Sequence, residues 1–222
     1  MPVHTILPID TFLRVAQVFN WATKRHYVLW FTGEERERHR RIEILLKRLS
    51  DKGKLRVQNY GNKKVYIVPR FRQTDFTQIN HGLGVTEGLV RLILSDRTAV
   101  VIPERKFLSK VRPEFGLVYG KKTIYYEFCT QDNCRRLNVL RYKLHSYQEF
   151  ITPDHVVLFV MQISKEELKR LLLKLKPEGN FLFTDYETFK SVPLGQQLTA
   201  KIYLWEDGNE YQLRPDQTSP VG

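Results

Sequence analysis

Residues 41–68 have the sequence RIEILLKRLSDKGKLRVQNYGNKKVYIV. Its first part has apolar residues at helical spacing, namely Ile42, Leu45, Leu46 and Leu49. Two strand-like runs follow at 55–60 and 63–68. The Gly61-Asn62 pair between them suits a tight turn, because both residue types tolerate a positive φ. The stretch therefore predicts a helix followed by a β-hairpin.

Two further helices are predicted upstream of this stretch. Residues 9–19 have helical periodicity, and Thr23 can cap a short helix that extends to Trp30 or Phe31. Thr32-Gly-Glu-Glu35 resembles a capping box, so we expect the third helix over 32–51, with Gly53 at its C-terminal cap. Three helices followed by a hairpin predict a winged helix-turn-helix domain over residues 1–72.

The positive charge of the chain is concentrated in this part. The formal net charge is +12, and residues 1–76 contain 16 Lys and Arg against 7 Asp and Glu, a net +9. Such a concentration indicates a polyanionic partner. A helix of this length fits the major groove and a basic hairpin can meet phosphates beside it, so we expect double-stranded DNA. The predicted contacts are Arg36, Arg38, Arg40, Arg41, Lys47, Arg48, Lys63 and Lys64.

Two less specific explanations of this charge remain open. Arginines on a helix often form only a solvated face, and some winged helices contact proteins alone.

The rest of the composition is ordinary for a globular protein, with 42% hydrophobic and 27% charged residues. No apolar run approaches the ~20 residues of a membrane span, and the N-terminus lacks signal-peptide organisation. We therefore expect a cytoplasmic, DNA-associated protein with no membrane contact.

A second domain is predicted after a polar, aperiodic linker at 73–80. Residues 81–213 have the element order α-β-β-β-α-β-α-β, with the first two helices at 84–94 and 133–150. This order predicts a mixed sheet flanked by helices, so the fold class is α+β or α/β. Residues 214–222 are rich in Pro, Ser and Gln, and we expect a flexible tail there.

Short motifs in this domain carry a resemblance to a known family. Arg112-Pro-Glu114 opens one strand, Tyr126-Glu-Phe-Cys-Thr130 closes the next, and Tyr142-Lys-Leu-His-Ser-Tyr147 lies in the following helix. Together with His81-Gly-Leu-Gly-Val-Thr86, these residues resemble the PD-(D/E)XK nuclease-like core, and more narrowly the plasmid replication-relaxation family. The resemblance implies a winged helix followed by a restriction-endonuclease-like domain.

The nuclease-like core implies a metal-dependent phosphodiesterase site. Such a site needs one or two Mg²⁺ ions held by carboxylates, with a lysine assisting. The candidate metal ligands are Glu87, Glu114 and Glu127, and the candidate catalytic residues are Glu114, Glu127 and Lys143. Two departures bear on activity: Glu114 replaces the usual Asp, and Cys129 takes the place of the motif lysine, whose charge a thiol cannot supply. Lys143 is the candidate substitute.

The cysteines and carboxylates also have purely structural interpretations. Cys129 and Cys134 lack the spacing of a zinc site, so we expect reduced thiols in or near a core. Glu114 and Glu127 could be salt-bridged carboxylates, partnered for example by Arg112 or Lys143.

Two functions of different classes follow from these observations. The first is a DNA-binding accessory protein of a mobile genetic element (plasmid, virus or transposon), acting in replication, transfer or regulation. Its nuclease-like domain would be degenerate and would serve as a platform, for a homodimer or for replication and transfer proteins. The alternative is a metal-dependent DNA endonuclease that is targeted by its winged helix and uses Mg²⁺.

Overall fold

The structure, a computed structural model, describes residues 8–34, 39–71, 75–104, 112–149, 151–204 and 209–213. The chain forms two compact units, Met1–Val90 and Arg91–Gly222. The first contains a three-stranded sheet and the second a seven-stranded mixed sheet, and both contain helices. The fold is therefore mixed α+β, as the sequence predicts.

The first unit begins with three helices and three strands. In chain order they are α1 (Ile9–Phe19), β1 (Trp21–Thr23), α2 (Lys24–Thr32), α3 (Arg40–Asp51), β2 (Arg56–Tyr60) and β3 (Lys63–Ile67). The strands form an antiparallel sheet in the order β1-β3-β2. The sequence does not predict β1, because three residues are too few to show an alternating pattern. It forms because the chain after α1 pairs with β3, Trp21 opposite Ile67.

An aromatic core joins α1 to α2. The rings of Phe12 and Tyr27 stack with centroids 4.7 Å apart, and Phe19 lies edge-on to Trp30 at 5.2 Å. Aromatic pairs in these arrangements contribute about 0.5–1.5 kcal/mol beyond the burial of their surface. From α3 the core receives Ile42, Leu46 and Leu49.

The connection between α2 and α3 differs from the prediction. Thr32, which we expected to open the third helix, is the last residue of α2, where its Oγ donates to the carbonyl oxygen of Val28 at 2.8 Å. Gly33 has a φ of 74°, the left-handed conformation that ends helices. The predicted capping box is therefore wrong, and α3 begins at Arg40. Its predicted end is confirmed, since Gly53 follows the helix with a φ of 66°.

A long helix, α4 (Phe76–Ser95), includes part of the predicted linker. Asp75 caps this helix, because its Oδ1 accepts from the backbone N–H of Gln78 at 2.7 Å. Ile79 is buried against Val65 and Ile67. One buried apolar residue gives no periodic pattern, which explains why the sequence indicated a linker. The boundary between the two compact units lies later, within α4.

The second unit is organised around the seven-stranded sheet. Its further elements are β4 (Val100–Pro103), β5 (Phe115–Tyr119), β6 (Lys122–Cys129), α5 (Gln131–Arg135), α6 (Leu137–Gln148), β7 (His155–Met161), α7 (Lys165–Leu175), β8 (Phe181–Asp185), α8 (Tyr186–Ser191), β9 (Tyr203–Leu204) and β10 (Glu210–Tyr211). The strand order is β10-β9-β8-β7-β6-β5-β4. β4, β5 and β6 form an antiparallel meander, whereas β6, β7 and β8 are parallel.

Two local features of this unit differ from the prediction. The helix expected at 133–150 is divided into α5 and α6 at Arg136, whose φ of -93° and ψ of 76° are not helical. The sequence predicts no counterpart of α8, since six residues are too few for a helical pattern. α8 begins directly after β8, where Asp185 Oδ1 accepts from the backbone N–H of Thr188 at 2.8 Å.

The predicted tail at 214–222 lies outside the described residues. Within the parts of the chain that the structure describes, no helix is both long and apolar enough to cross a membrane.

Candidate functional site

Six of the eight predicted DNA-contacting residues lie within the described residues, and all six are exposed. We call them the basic surface: Arg40, Arg41, Lys47 and Arg48 on α3, with Lys63 and Lys64 on β3. The other two, Arg36 and Arg38, lie outside the described residues.

The helix α3 has two chemically different faces. Ile42 and Leu46 are at most 1% exposed and lie on the inward face. Arg40, Ile44 and Lys47 follow the spacing i, i+4 and i+7, which places them together on the outward face. Ile44 is 56% exposed there, so an apolar side chain stands between two cations.

The hairpin brings two lysines to its tip. Tyr60 pairs with Lys63, so only Gly61 and Asn62 form the loop. Of these two, only Gly61 has a positive φ, 56°, which is the pattern of a type II′ turn. Lys63 and Lys64 are therefore held next to a tight turn, and both side chains are exposed.

An acidic residue of α3 is neutralised within the unit. Glu43 Oε1 accepts from Lys24 Nζ of α2 at 2.7 Å. An exposed ion pair of this kind contributes little stability, but it offsets a negative charge beside the basic surface. The outward face of α3 therefore keeps its positive character.

A second set of predicted residues meets in the second unit, around Glu127 of β6. Successive strand residues alternate in direction, so Tyr125, Glu127 and Cys129 share one face of the sheet. Tyr125 and Cys129 belong to the core cluster that contains residues of α6. Glu127, which is 1% exposed, likewise meets α6. Its two carboxylate oxygens accept from Lys143 Nζ and Tyr147 Oη, each at 2.6 Å.

The two donors lie one helical turn apart on α6, at i and i+4. Burial lowers the pKa of Lys143, but Glu127, Cys129 and Glu114 together raise it by more, so the pKa lies above its usual value. Burial and then the charge of Glu127 raise the pKa of Tyr147 far above its usual value. At neutral pH, Lys143 is therefore a cation and Tyr147 a neutral donor to the same buried carboxylate.

Glu114 lies immediately before β5, beside β6. Phe115 pairs with Tyr126, and the backbone N–H of Glu114 donates to the carbonyl oxygen of Tyr126 at 3.0 Å. The carboxyl group of Glu114 is close enough to Glu127 and Lys143 to interact with both charges. Burial and then the charge of Glu127 raise the pKa of Glu114 well above its usual value, more than Lys143 lowers it. Glu114 therefore retains its proton to a higher pH than a free carboxyl group.

Glu87 has other partners, within the first unit. Its Oε2 accepts from Arg25 Nη1 at 2.8 Å and lies 3.0 Å from His26 Nε2. His26 Nδ1 accepts from the backbone N–H of Thr23, so in the neutral tautomer Nε2 carries the proton and donates to Glu87. Arg25 therefore offsets the buried negative charge of Glu87, the third carboxylate of the predicted metal site. Among the described residues, no group of three or more His, Cys, Asp or Glu side chains could hold a metal ion.

Cys129 occupies the motif position that we expected to matter for activity. It is 1% exposed, and burial followed by the charge of Glu127 raises its pKa well above the usual value. It is therefore a neutral thiol. Cys134 Sγ donates to the Cys129 carbonyl oxygen at 3.5 Å, and neither cysteine forms a disulfide. The cation beside Glu127 comes from Lys143 instead.

The structure therefore brings Glu114, Glu127 and Lys143 together. Two carboxylates are a suitable donor set for Mg²⁺ or Mn²⁺. Metal binding there would require Glu114 to lose its proton and Glu127 to reach the ion while it accepts two internal hydrogen bonds. In the structure, both carboxylate oxygens of Glu127 already accept hydrogen bonds from protein donors.

Sequence reasoning did not assign a site role to three of these side chains. Tyr147 was noted only as part of a motif, although its i+4 spacing from Lys143 is a signal for a shared partner. Arg25 and His26 had no such signal, because their contact with Glu87 spans more than 60 residues of chain. Comparison with known proteins identifies no family, since no family model and no curated protein matches the chain.

Proposed function

We propose that the first unit is a winged helix-turn-helix that binds double-stranded DNA. In this proposal α3 enters the major groove, and the β2–β3 hairpin follows the adjacent phosphates. The element order α1-β1-α2-α3-β2-β3, with its sheet order β1-β3-β2, supports this arrangement. The observation that carries the proposal is the basic surface, six exposed cations on one helix and one hairpin.

The electrostatics of this surface favour a polyanion over a solvated face. The only acidic residue in the first turn of α3, Glu43, is paired with Lys24. Binding of cations to duplex phosphates releases condensed counterions, so affinity should fall steeply with salt.

We infer further that the second unit is a nuclease-like platform whose site is degenerate. The antiparallel meander β4-β5-β6, followed through α6 by the parallel strand β7, supports the likeness to a PD-(D/E)XK core. The internal hydrogen bonds to Glu127 and the thiol at Cys129 support loss of activity. With the resemblance to the replication-relaxation family, this supports an accessory role in replication, transfer or regulation of a mobile genetic element.

The binding proposal is tested with two matched pairs of lysines. Lys63 and Lys64 lie at the hairpin tip of the first unit, and Lys121 and Lys122 lie exposed beside Gly120 at the β5–β6 turn of the second. Binding of a short labelled duplex is measured by fluorescence anisotropy over a range of salt concentrations. Replacing Lys63 and Lys64 with Ala should weaken binding and reduce the slope of log K against log[salt] by about 2.

The Lys121→Ala/Lys122→Ala variant changes the net charge equally and should bind as the wild type does. Equal effects of the two double variants would show that only net charge matters. If neither double variant changes binding, the hairpin is not part of the binding surface.

A second candidate function is a metal-dependent DNA endonuclease. The specific observation in its favour is the meeting of Glu114, Glu127 and Lys143 in one cluster. Plasmid nicking with Mg²⁺ or Mn²⁺ separates the candidates. Nicking that is lost in Glu127→Ala and Glu114→Gln, with DNA binding retained, would establish the endonuclease. Intact binding without nicking by the wild type would establish the accessory role.

A further inference from the structure

An exposed isoleucine stands at the centre of the outward face of α3. Ile44 is 56% exposed, although burying an aliphatic side chain of this size is favourable by about 1.5–3 kcal/mol. Helix propensity does not explain its presence either, because a β-branched residue is a weaker helix former than Ala, Lys or Arg. Neither the core nor the local helix therefore accounts for an isoleucine at this position.

The neighbours of Ile44 restrict what can cover it. Arg40 lies one turn before it and Lys47 one turn after it on the same face, and both are exposed. A purely apolar partner would have to desolvate these two charges without compensation. A partner that satisfies all three side chains is an anionic surface with apolar groups recessed between its charges.

Duplex DNA offers this combination in its major groove. Phosphates line the two walls, and the C5-methyl group of thymine projects from the floor. At 1.5 Å per residue, Arg40 and Lys47 are about 10 Å apart along the helix axis, with Ile44 between them. Long cationic side chains can reach the walls of a groove about 12 Å wide, whereas the short Ile44 side chain can reach only base edges.

We propose that Ile44 contacts a thymine methyl group and gives the protein a preference for a T·A pair at one position of its DNA site. This inference rests on the proposed DNA binding by the first unit. Ile44 is then a specificity-determining residue, and the basic surface supplies affinity without reference to sequence.

The test compares thymine with uracil, which lacks only the methyl group. The full chain is first used to select bound duplexes from a randomised pool. A selected duplex is then synthesised with thymine or uracil at each preferred position, and affinities are measured by anisotropy. We expect the wild type to bind the thymine form about fourfold more tightly at one position, the effect of burying one methyl group.

Two variants make the comparison specific. Ile44→Ala should bind the thymine and uracil forms equally, and alanine at an exposed helix position does not endanger folding. Leu173→Ala is the matched control, because Leu173 is a 73% exposed aliphatic residue on a helix of the second unit. This control should keep the full discrimination.

Failure of this inference is distinguishable from failure of the proposed function. Suppose that replacing Lys63 and Lys64 with Ala abolishes binding, but the wild type does not distinguish thymine from uracil at any position. The proposed role of Ile44 is then refuted, and the proposed DNA binding is retained. If Ile44→Ala keeps the discrimination but loses self-association in sedimentation, Ile44 covers a second copy of the chain and the inference is overturned. If binding does not depend on the basic surface at all, the proposed function itself fails.

Discussion

Replacement of Lys143 by methionine probes the buried network in the second unit. Lys143 donates to Glu127, a carboxylate that is 1% exposed and whose other oxygen accepts from Tyr147. Methionine keeps most of the aliphatic stem of lysine and removes the charge. Glu127 then remains buried with a single neutral donor.

The expected loss of stability follows from the burial of the two partners. Removing one partner of a fully buried ion pair destabilises a protein by about 3–5 kcal/mol. The side chain of Lys143 is 34% exposed, so water screens part of the interaction. We therefore expect a smaller decrease, about 2–3 kcal/mol in the free energy of unfolding at pH 7.

The matched control is the double variant Glu127→Gln/Lys143→Met. A glutamine keeps a polar group within reach of Tyr147 but carries no charge, so this variant should lie within about 1 kcal/mol of the wild type. Urea unfolding is followed by circular dichroism. Hydrogen exchange of the β6 and β7 amides assigns the transition to the second unit. A double variant less stable than the single one would refute the reasoning.

The pH dependence gives an independent check of the same pair. Because the pKa of Lys143 is raised in the folded protein, its contribution is fully present below the unfolded pKa of about 10.4. The contribution is lost as the pH rises through the folded pKa. The difference between wild type and Lys143→Met should therefore shrink as the pH rises from neutral into alkaline solution.

Two further substitutions test other parts of the fold. Glu114→Gln should stabilise the protein at pH 7 but not below pH ~4.3. The pKa of Glu114 is raised in the folded protein, so the wild type loses stability as the pH rises above the unfolded pKa, whereas glutamine does not ionise. Equal urea midpoints of the two proteins at pH 7 would contradict this. Gly82→Ala should destabilise the first unit by about 1–3 kcal/mol, although alanine normally stabilises a helix. The added Cβ would lie 2.6 Å from the ring of Trp21, and Thr77→Ala at an exposed position of the same helix is the control. A rise in thermal stability of Gly82→Ala would show that the indole ring can move.

Most regular elements were predictable because their signals are local. The buried positions of α3 follow from the spacing of its leucines, and β2 and β3 follow from two β-rich runs around Gly61. The strand β7 contains an unbroken apolar run that is buried from Val157 to Met161, the pattern typical of a strand inside a sheet. In each case the pattern lies within one element, so no knowledge of distant residues was needed.

The errors arose where local signals were weak or ambiguous. A threonine such as Thr32 is compatible with the start or the end of a helix. In the structure, Gly33 adopts the left-handed conformation, so α2 ends at Thr32. The first turns of α4 carry one buried apolar residue, Ile79, and its burial depends on β3 far upstream. The short strand β1 is defined by its pairing with β3, which the sequence of β1 alone does not reveal.

The candidate site was predictable only in part. The motif positions of Glu114, Glu127 and Lys143 suggested a cluster, and in the structure these three side chains interact with one another. Glu87, the third predicted ligand, accepts a hydrogen bond from Arg25 of the first unit, a contact that the sequence does not predict. Sequence spacing does not reveal which of several cations will reach a buried carboxylate.

By itself, the sequence determined the amount and position of positive charge, the helix-and-hairpin stretch that carries it and a fold that mixes helices with sheets. These depend on composition and on periodicity within single elements. Only the tertiary structure decided that Ile44 is exposed between Arg40 and Lys47, and that Lys143 and Tyr147 both donate to Glu127. Burial and ion pairing depend on which distant segments pack together, and no local pattern encodes that choice.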